Sequence, residues 1–290
     1  MTKARVLAEG LYFGEGPRWH GGRLWFSDFH DHAVKSLDDS GTLRTELVVD
    51  DQPSGLGWLP DGRLLLVAMH RREVLRAGPD GIALHADLSG VAAYHANDMV
   101  VDALGGAYVG NFGFALDEAL EARGVEGVLA DHPTATLARI DPDGSVHAAA
   151  PDLHFPNGMV ITPDGRTLIV AETLAMQLTA FDIASDGSLS HRRVWATLGM
   201  RAPDGICLDE QGRVWVANAI APECVLVAPG GEIVATVETS QPCFACMLGG
   251  DDRRTLYMMT APSSVADVVS RSRQGRTECA KVETAGAGRP

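Results

Sequence analysis

One hairpin phrase recurs along this chain. In its clearest copy, Pro156-Asn157-Gly158-Met159-Val160-Ile161-Thr162 leads through Pro163-Asp164-Gly165-Arg166 into Thr167-Leu168-Ile169-Val170-Ala171-Glu172. It reads as a polar residue, a short apolar strand, a Pro-Asp-Gly turn and a returning apolar strand. Ser54-Gly55-Leu56 with Asp61-Gly62-Arg63-Leu64-Leu65-Leu66-Val67 repeats it, as does Asp204-Gly205-Ile206-Cys207-Leu208 with Gln211-Gly212-Arg213-Val214-Trp215-Val216-Ala217. The turn markers Gly22, Gly62, Gly105, Gly165 and Gly212, with Asp252 in the corresponding place, lie 40, 43, 60, 47 and 40 positions apart. A period of that length, made of strands and turns with almost no helical pattern, predicts a β-propeller of four-stranded antiparallel blades. Six copies predict six blades in an all-β chain, one domain over residues 1–290.

The residue that opens the hairpin changes from copy to copy. Eight positions before the turn marker stand Ser54, Asn97, Asn157, Asp204 and Phe244, and seven before Gly22 stands Glu15. The strand after this residue is expected to be innermost, here Met159 to Thr162. The rest of that blade is expected at Thr167 to Ala171, Gln177 to Asp182 and Leu189 to Trp195. Radial repetition then places all six opening residues around one mouth of a central channel. The ends of the second strands, near Phe29-His30, His70, Asn111, Glu172, Asn218 and Thr260, fall on the same face.

The long interval holds an insertion at 115–133, with two helical turns expected from Leu116 to Arg123. It reads equally as a lid or pocket wall and as a plain surface excursion. At the chain's end, Glu278 to Val282 makes one further strand. Ala4 to Ala8 is expected to close the ring as the outer strand of the sixth blade, which removes an exposed sheet edge. The Gly-rich tail from about 284 to 290 is expected to be flexible.

With 46% hydrophobic and 21% charged residues, the 290-residue chain can bury a large core. A net charge of −14 argues against nucleic acid or an anionic membrane surface as partner, since both need clustered Lys and Arg. No apolar run has the length of a membrane span, and Met1 to Pro17 lacks a signal-peptide core, so a cytoplasmic location is the default expectation. Five cysteines, at 207, 224, 243, 246 and 279, cannot all pair within the chain. Cys243-Phe244-Ala245-Cys246 has CxxC spacing but no second pair or histidines to complete a zinc site, and small buried side chains are the expected role.

Glu15, Asn157 and Asp204 are oxygen-bearing side chains at equivalent positions of blades one, four and five. Two carboxylates and an amide converging on a channel suit a hard or borderline divalent cation, with water completing its shell. Singly, Asn-Gly and Asp-Gly are ordinary turn pairs; the shared offset favours a site.

The elements Glu15-Gly16-Pro17, Asn97-Asp98, Asn157-Gly158 and Pro203-Asp204-Gly205, in this order, resemble those of the senescence-marker-protein / gluconolactonase / luciferin-regenerating-enzyme family, also called the regucalcin family. The likeness runs from about Leu7 to Ala261. It implies a six-bladed propeller with one catalytic divalent metal and hydrolysis of lactones. It further implies that Glu15, Asn157 and Asp204 bind the metal, that Asn97 contacts substrate or water on the metal, and that Asp204 is the general base. A metal that polarises the carbonyl and a carboxylate that takes a proton from water need no serine nucleophile, and no Gly-x-Ser-x-Gly elbow is present. Metal identity stays open among calcium, magnesium, manganese, zinc and iron(II).

One departure concerns substrate. Sugar-lactone members of the family commonly carry Arg two residues before the Asn of this element, whereas this chain has His95, preceded by Tyr94. His95, Tyr94 and Phe112 are the substrate-contact candidates, with Phe13, Phe114, Phe155 and Phe244 around the rim. A shorter, less hydrogen-bonding side chain among aromatics points to a lactone or ester less polar than an aldonolactone. The competing readings are a non-catalytic propeller that binds a metal or small molecule, and a protein-interaction scaffold. His30-Asp31-His32 reads as a solvated loop, Asp98 as a brace for Asn97 or a turn acceptor, and Asp28 as a local strand-end acceptor.

Overall fold

The computed structural model describes residues 2–288. Six sheets stand around a central channel, and each contains a four-stranded antiparallel blade. The innermost strands are Gly14–His20, Pro53–Trp58, Ala96–Val101, Pro156–Ile161, Pro203–Leu208 and Cys243–Gly249. Each packs on the next, and the last packs on the first, so the ring closes. The fourth blade consists of Pro156–Ile161, Thr167–Glu172, Gln177–Ile183 and Leu189–Thr197, close to the expected strands.

The turn chemistry explains why the phrase repeats. Asp164 Oδ1 accepts the backbone N–H of Arg166 at 3.1 Å and Asp61 Oδ1 that of Arg63 at 3.1 Å, while Gly165 and Gly62 take φ of 72° and 86°. Asp closes a local turn by mimicking a backbone acceptor and Gly supplies the left-handed residue, which together tie the first strand of a blade to the second. The sixth blade uses Asp252, whose Oδ1 accepts from Arg254 N at 3.0 Å, with Arg253 in the left-handed conformation at φ 54°.

Polarity rises from the channel outward. Every residue of Leu64–Ala68 and of Pro156–Ile161 is buried, whereas Leu43–Val48, at the outside of the first blade, is exposed nearly throughout. Apolar faces of neighbouring blades interlock. Val160, Ile169 and Leu178 of the fourth blade pack with Ile206, Leu208 and Val216 of the fifth. Each such fully buried aliphatic contributes about 1.5–3 kcal/mol over its exposed state.

The ends of the chain meet at the sixth blade. Arg5–Leu11 pairs antiparallel with Gly275–Lys281 and supplies the outer strand, as expected from Ala4 to Ala8 but ending three residues later. Thr2–Lys3 then continues onto the fifth blade, parallel to Ile233–Glu238. The tail differs from expectation: Glu210 N donates to Ala285 O at 2.8 Å, Gly286 N to Arg253 O at 2.8 Å and Ala287 N to Leu208 O at 2.9 Å. It is therefore tied between the fifth and sixth blades, because its backbone groups find partners there; residues 289 and 290 lie outside the described residues.

The insertion forms a helix at Leu116–Ala130, longer than the two turns expected to Arg123. Gly124, at φ 67°, bends the chain, and the helix resumes beyond it. A second short helix, Ala266–Val269, occupies the equivalent loop of the sixth blade. Among the described residues no helix is long and apolar enough to cross a membrane.

Candidate active site

A β-bulge lies at the start of every innermost strand. Pairing with the second strand shifts between Glu15 and Arg18, Pro53 and Leu56, Ala96 and Met99, Pro156 and Met159, Pro203 and Ile206, and Cys243 and Ala245. A bulge inserts an unpaired residue and re-aims its side chain. Ser54, Asn97, Asn157, Asp204 and Phe244 occupy these bulges, which is the structural content of their constant offset, while Glu15 is paired with Ser27 at the edge of its own bulge.

Glu15, Asn97, Asn157 and Asp204 are all buried, as are Ser54 and Phe244. A hydrogen-bond chain links blades two to five. Ser54 Oγ donates to Asn97 Oδ1 at 3.2 Å, Asn97 Nδ2 to Asn157 Oδ1 at 2.9 Å, Asn157 Nδ2 to Thr173 Oγ1 at 3.2 Å, and Thr173 Oγ1 to Pro203 O at 2.7 Å. The chain fixes both amides, yet leaves Asn157 Oδ1 a second lone pair.

The carboxylates stand apart from this chain. Glu15 Oε2 accepts from Gly16 N at 2.9 Å. Burial pushes its pKa well above the usual carboxylate range, and the charges of Asp204 and Asp98 push it further. Asp204 is raised well above its usual value by burial first and by Asp98 second, with partial relief from Asn157 and Gly205. Among the described residues neither carboxylate has an ion-pair partner, and Asp98 Oδ1 is buried with no hydrogen-bond partner. Buried acids that repel one another and make no direct ion pair are costly unless a cation joins them. Among the described residues no three Asp, Glu, His or Cys side chains form a metal-binding group; the buried oxygen donors among the opening residues include the Glu15 and Asp204 carboxylates and the Asn157 amide. That donor set fits a hard divalent ion.

Aromatic rings wall one side of the mouth. Tyr94 stacks on His95 with centroids 4.0 Å apart, and His95 meets His70 at 4.4 Å and Phe112 at 6.1 Å, both edge-on. Phe112 in turn meets Phe155 edge-on at 4.5 Å. Burial and the adjoining His70 push the His95 pKa down to about 4, so its ring is neutral at pH 7. Phe13, Phe29, Met69 and Phe244 form an apolar cluster that Phe112 also touches. The inserted helix adjoins this wall. Burial raises the Tyr94 phenol, and Glu118 and Asp117 in the helix's first turn add to the effect. His132 Nε2 lies 2.9 Å from His154 Nδ1, joining the end of the insertion to the fourth blade.

Other candidates have local duties. Asp28 Oδ1 accepts from Phe13 N at 3.0 Å and its Oδ2 pairs with buried Lys35 at 2.7 Å. Asn111 bonds Thr136 O and Gly113 N, Asn218 bonds Ala202 N and Glu223, and Glu172 accepts from His154 N, Gln177 and Thr179 and pairs with Arg192. Asp31 pairs with Lys35 and Arg273 while His30 Nδ1 meets Gln52, so His30-Asp31-His32 is a braced turn rather than a loose loop. All five cysteines are free and buried, and burial raises the Cys207 and Cys224 thiols.

Sequence reasoning missed Thr173, the His70–Asp51 contact at 2.8 Å and buried Arg18. Thr173 directly follows the second strand of the fourth blade, and that placement was its only available signal. Cavities of about 480, 500 and 540 Å³ lie on blade flanks and contain none of the candidate residues. The mouth is singled out by its chemistry, not by its volume.

Comparison with known proteins gives the chain's family and fold. The pentonolactonase XacC of Haloferax volcanii is 27% identical over 272 residues, covering 90% of this chain and 86% of that protein. Regucalcin of Danio rerio is 31% identical over 132 residues, 44% of this chain and 45% of that one. The solved structure of a calcium-binding protein, regucalcin, from Agrobacterium tumefaciens matches with a TM-score of 0.80, covering 100% of this chain and 97% of the other at 20% identity, which shows a common fold. The profile of the SMP-30/Gluconolactonase/LRE-like region matches residues 13–262, and the chain belongs to that family.

Proposed function

We propose that this protein is a divalent-cation-dependent lactone hydrolase whose substrates are less polar than aldonolactones. The observation that carries the reading is the pair of buried carboxylates without a direct ion pair, Glu15 and Asp204, beside the Asn97–Asn157 pair. Relatives that include a pentonolactonase support the reaction class, and the Agrobacterium regucalcin, a calcium-binding protein, supports calcium among the candidate ions.

Glu15, Asn157 and Asp204 would hold the ion. When bound, a divalent cation polarises the lactone carbonyl and stabilises negative charge that develops on its oxygen. Asp204 takes a proton from the attacking water, a role suited to a carboxylate whose basicity burial has raised. Asn97, fixed by Ser54 and Asn157, presents its amide to the substrate. Tyr94, neutral His95 and Phe112 offer flat apolar surface and few donors to polyhydroxylated rings. Glu15 and Asp204 together supply more charge than passive binding of a neutral ligand requires, which favours an enzyme over a binding propeller.

The test strips the protein with a chelator and restores calcium, magnesium, manganese, zinc or iron(II) singly. Proton release is then followed on aldonolactones and on alkyl and aromatic lactones. Turnover is expected only after an ion is restored, with higher kcat/KM on the apolar lactones. Asp204→Asn is expected to lower kcat by about 10²–10⁴-fold with an unchanged circular dichroism spectrum. Ion binding without turnover of any lactone would leave the non-catalytic reading, and activity confined to aldonolactones would overturn the substrate class.

A further inference from the structure

We propose that Arg18 sets the charge of the channel at the candidate cation site, so that the site selects divalent over trivalent ions. The inference rests on the reading of Glu15, Asn157 and Asp204 as cation ligands. Arg18 sits on the innermost strand of the first blade, across the bulge from Glu15, and is only 4% exposed. Its Nη1 donates to Pro17 O at 2.8 Å and its Nη2 to Met99 O at 2.5 Å, while Nε is buried without a partner. Two backbone carbonyls, one from each of two blades, therefore anchor the guanidinium. Among the described residues no carboxylate forms an ion pair with it, although it lies within electrostatic reach of Asp98 and Glu15.

This anchoring has a consequence for a bound ion. An arginine paired directly with Glu15 or Asp204 would occupy the oxygens that a cation needs. Held by carbonyls instead, Arg18 contributes its charge and leaves those oxygens free. A guanidinium stays protonated at any working pH. In the deprotonated form that a bound cation favours, the three buried carboxylates Glu15, Asp98 and Asp204 together with this one guanidinium sum to −2. A divalent ion neutralises that sum, whereas a trivalent ion leaves excess positive charge beside a guanidinium in a medium where charges are poorly screened. Repulsion from Arg18 also scales with the ion's charge, so it penalises a trivalent ion half as much again as a divalent one.

The experiment titrates purified full-length protein with terbium(III), read by luminescence, and with calcium, read by calorimetry; neither readout needs substrate. Arg18→Met and Arg18→Gln are expected to raise the ratio of terbium to calcium affinity by about tenfold or more, and Arg18→Lys, which keeps the charge, to leave it near the parent value. Asp98→Asn removes a negative charge from the same channel and is expected to lower the ratio to a similar degree. An unchanged ratio in folded Arg18→Met or Arg18→Gln overturns the proposal, as does an equal shift in Arg18→Lys. Should both neutral variants unfold, Asp98→Asn decides, and a ratio that fails to fall overturns it. A parent protein that binds neither ion sinks the cation site itself, a different result from an unchanged ratio.

Discussion

His95 makes the mouth sensitive to acid from a single residue. Its ring is stacked on Tyr94 and faces His70 and Phe112, with Asp51 and Arg72 in electrostatic range. Burial first and His70 second lower its pKa from 6.5 to about 4, against the opposing pull of Asp51. Between those two values the unfolded chain takes up a proton at this position and the folded chain does not. Stability from this group is therefore complete above pH 6.5 and falls as pH drops toward 4. Thermal melts from pH 7.5 downward should show a shallower acid-side loss for His95→Gln than for the parent, and parallel curves would remove His95 from the account. At this scale the sequence exposed Glu15, Asn97, Asn157 and Asp204, because each occupies the same place in a repeat. It could not expose Arg18, which looks like any strand residue until the bulge beside Glu15 turns it into the channel. Thr173 was hidden for a related reason: its hydroxyl acts only where the fourth and fifth blades touch.

The bulged inner strand is the element that builds the site, and its tolerance can be tested at Gly158. A Cβ there would lie 2.5 Å from Asp204 O, 2.6 Å from Ile206 N and 2.7 Å from Gly205 Cα, all backbone atoms of the neighbouring strand. No side chain can move aside to relieve such a contact, so the blades themselves would have to separate. Gly165 offers the contrast, since its Cβ would meet nothing within 4 Å and only its φ of 72° resists substitution. Gly158→Ala is expected to cost about 1–3 kcal/mol or more through overpacking, and Gly165→Ala about 1–2 kcal/mol through backbone conformation alone. Denaturant midpoints of the two variants measure the difference, and an equal or smaller loss at Gly158 would count against close approach at the bulge. The hairpins themselves were legible, since Asp-Gly turns and apolar runs are local chemistry. The bulges were not, because they depend on which partner residues each strand meets across the blade. The Ala266–Val269 helix escaped notice for want of length and a capping residue: Val265 precedes it and makes no side-chain cap.

For the whole molecule, closure of the ring is expected to govern the proposed site. Glu15 belongs to the first blade and Asp204 to the fifth, and the shorter way round the ring between them passes through the sixth. That blade is made from both ends of the chain, with Arg5–Leu11 paired to Gly275–Lys281. Leu11 is fully buried in the cluster that also holds Leu24 and Phe26 of the first blade and Trp215 of the fifth. Removing residues 2–11 strips the outer strand, bares the edge of Gly275–Lys281 and deletes the Leu11 contact, which alone is expected to cost about 2–5 kcal/mol in a Leu11→Ala variant. The truncated protein should associate through that edge in size-exclusion chromatography and melt over a broader range. Its affinity for terbium(III) should also fall, although every proposed ligand is still present, because Glu15 and Asp204 are no longer held across a closed ring. A truncated monomer with the parent's melting temperature and terbium affinity would show that blades one to five hold the site unaided. The opposite result would explain why a repeat this regular gives its last blade to both ends of the chain: the two carboxylates are brought into register only when those ends meet.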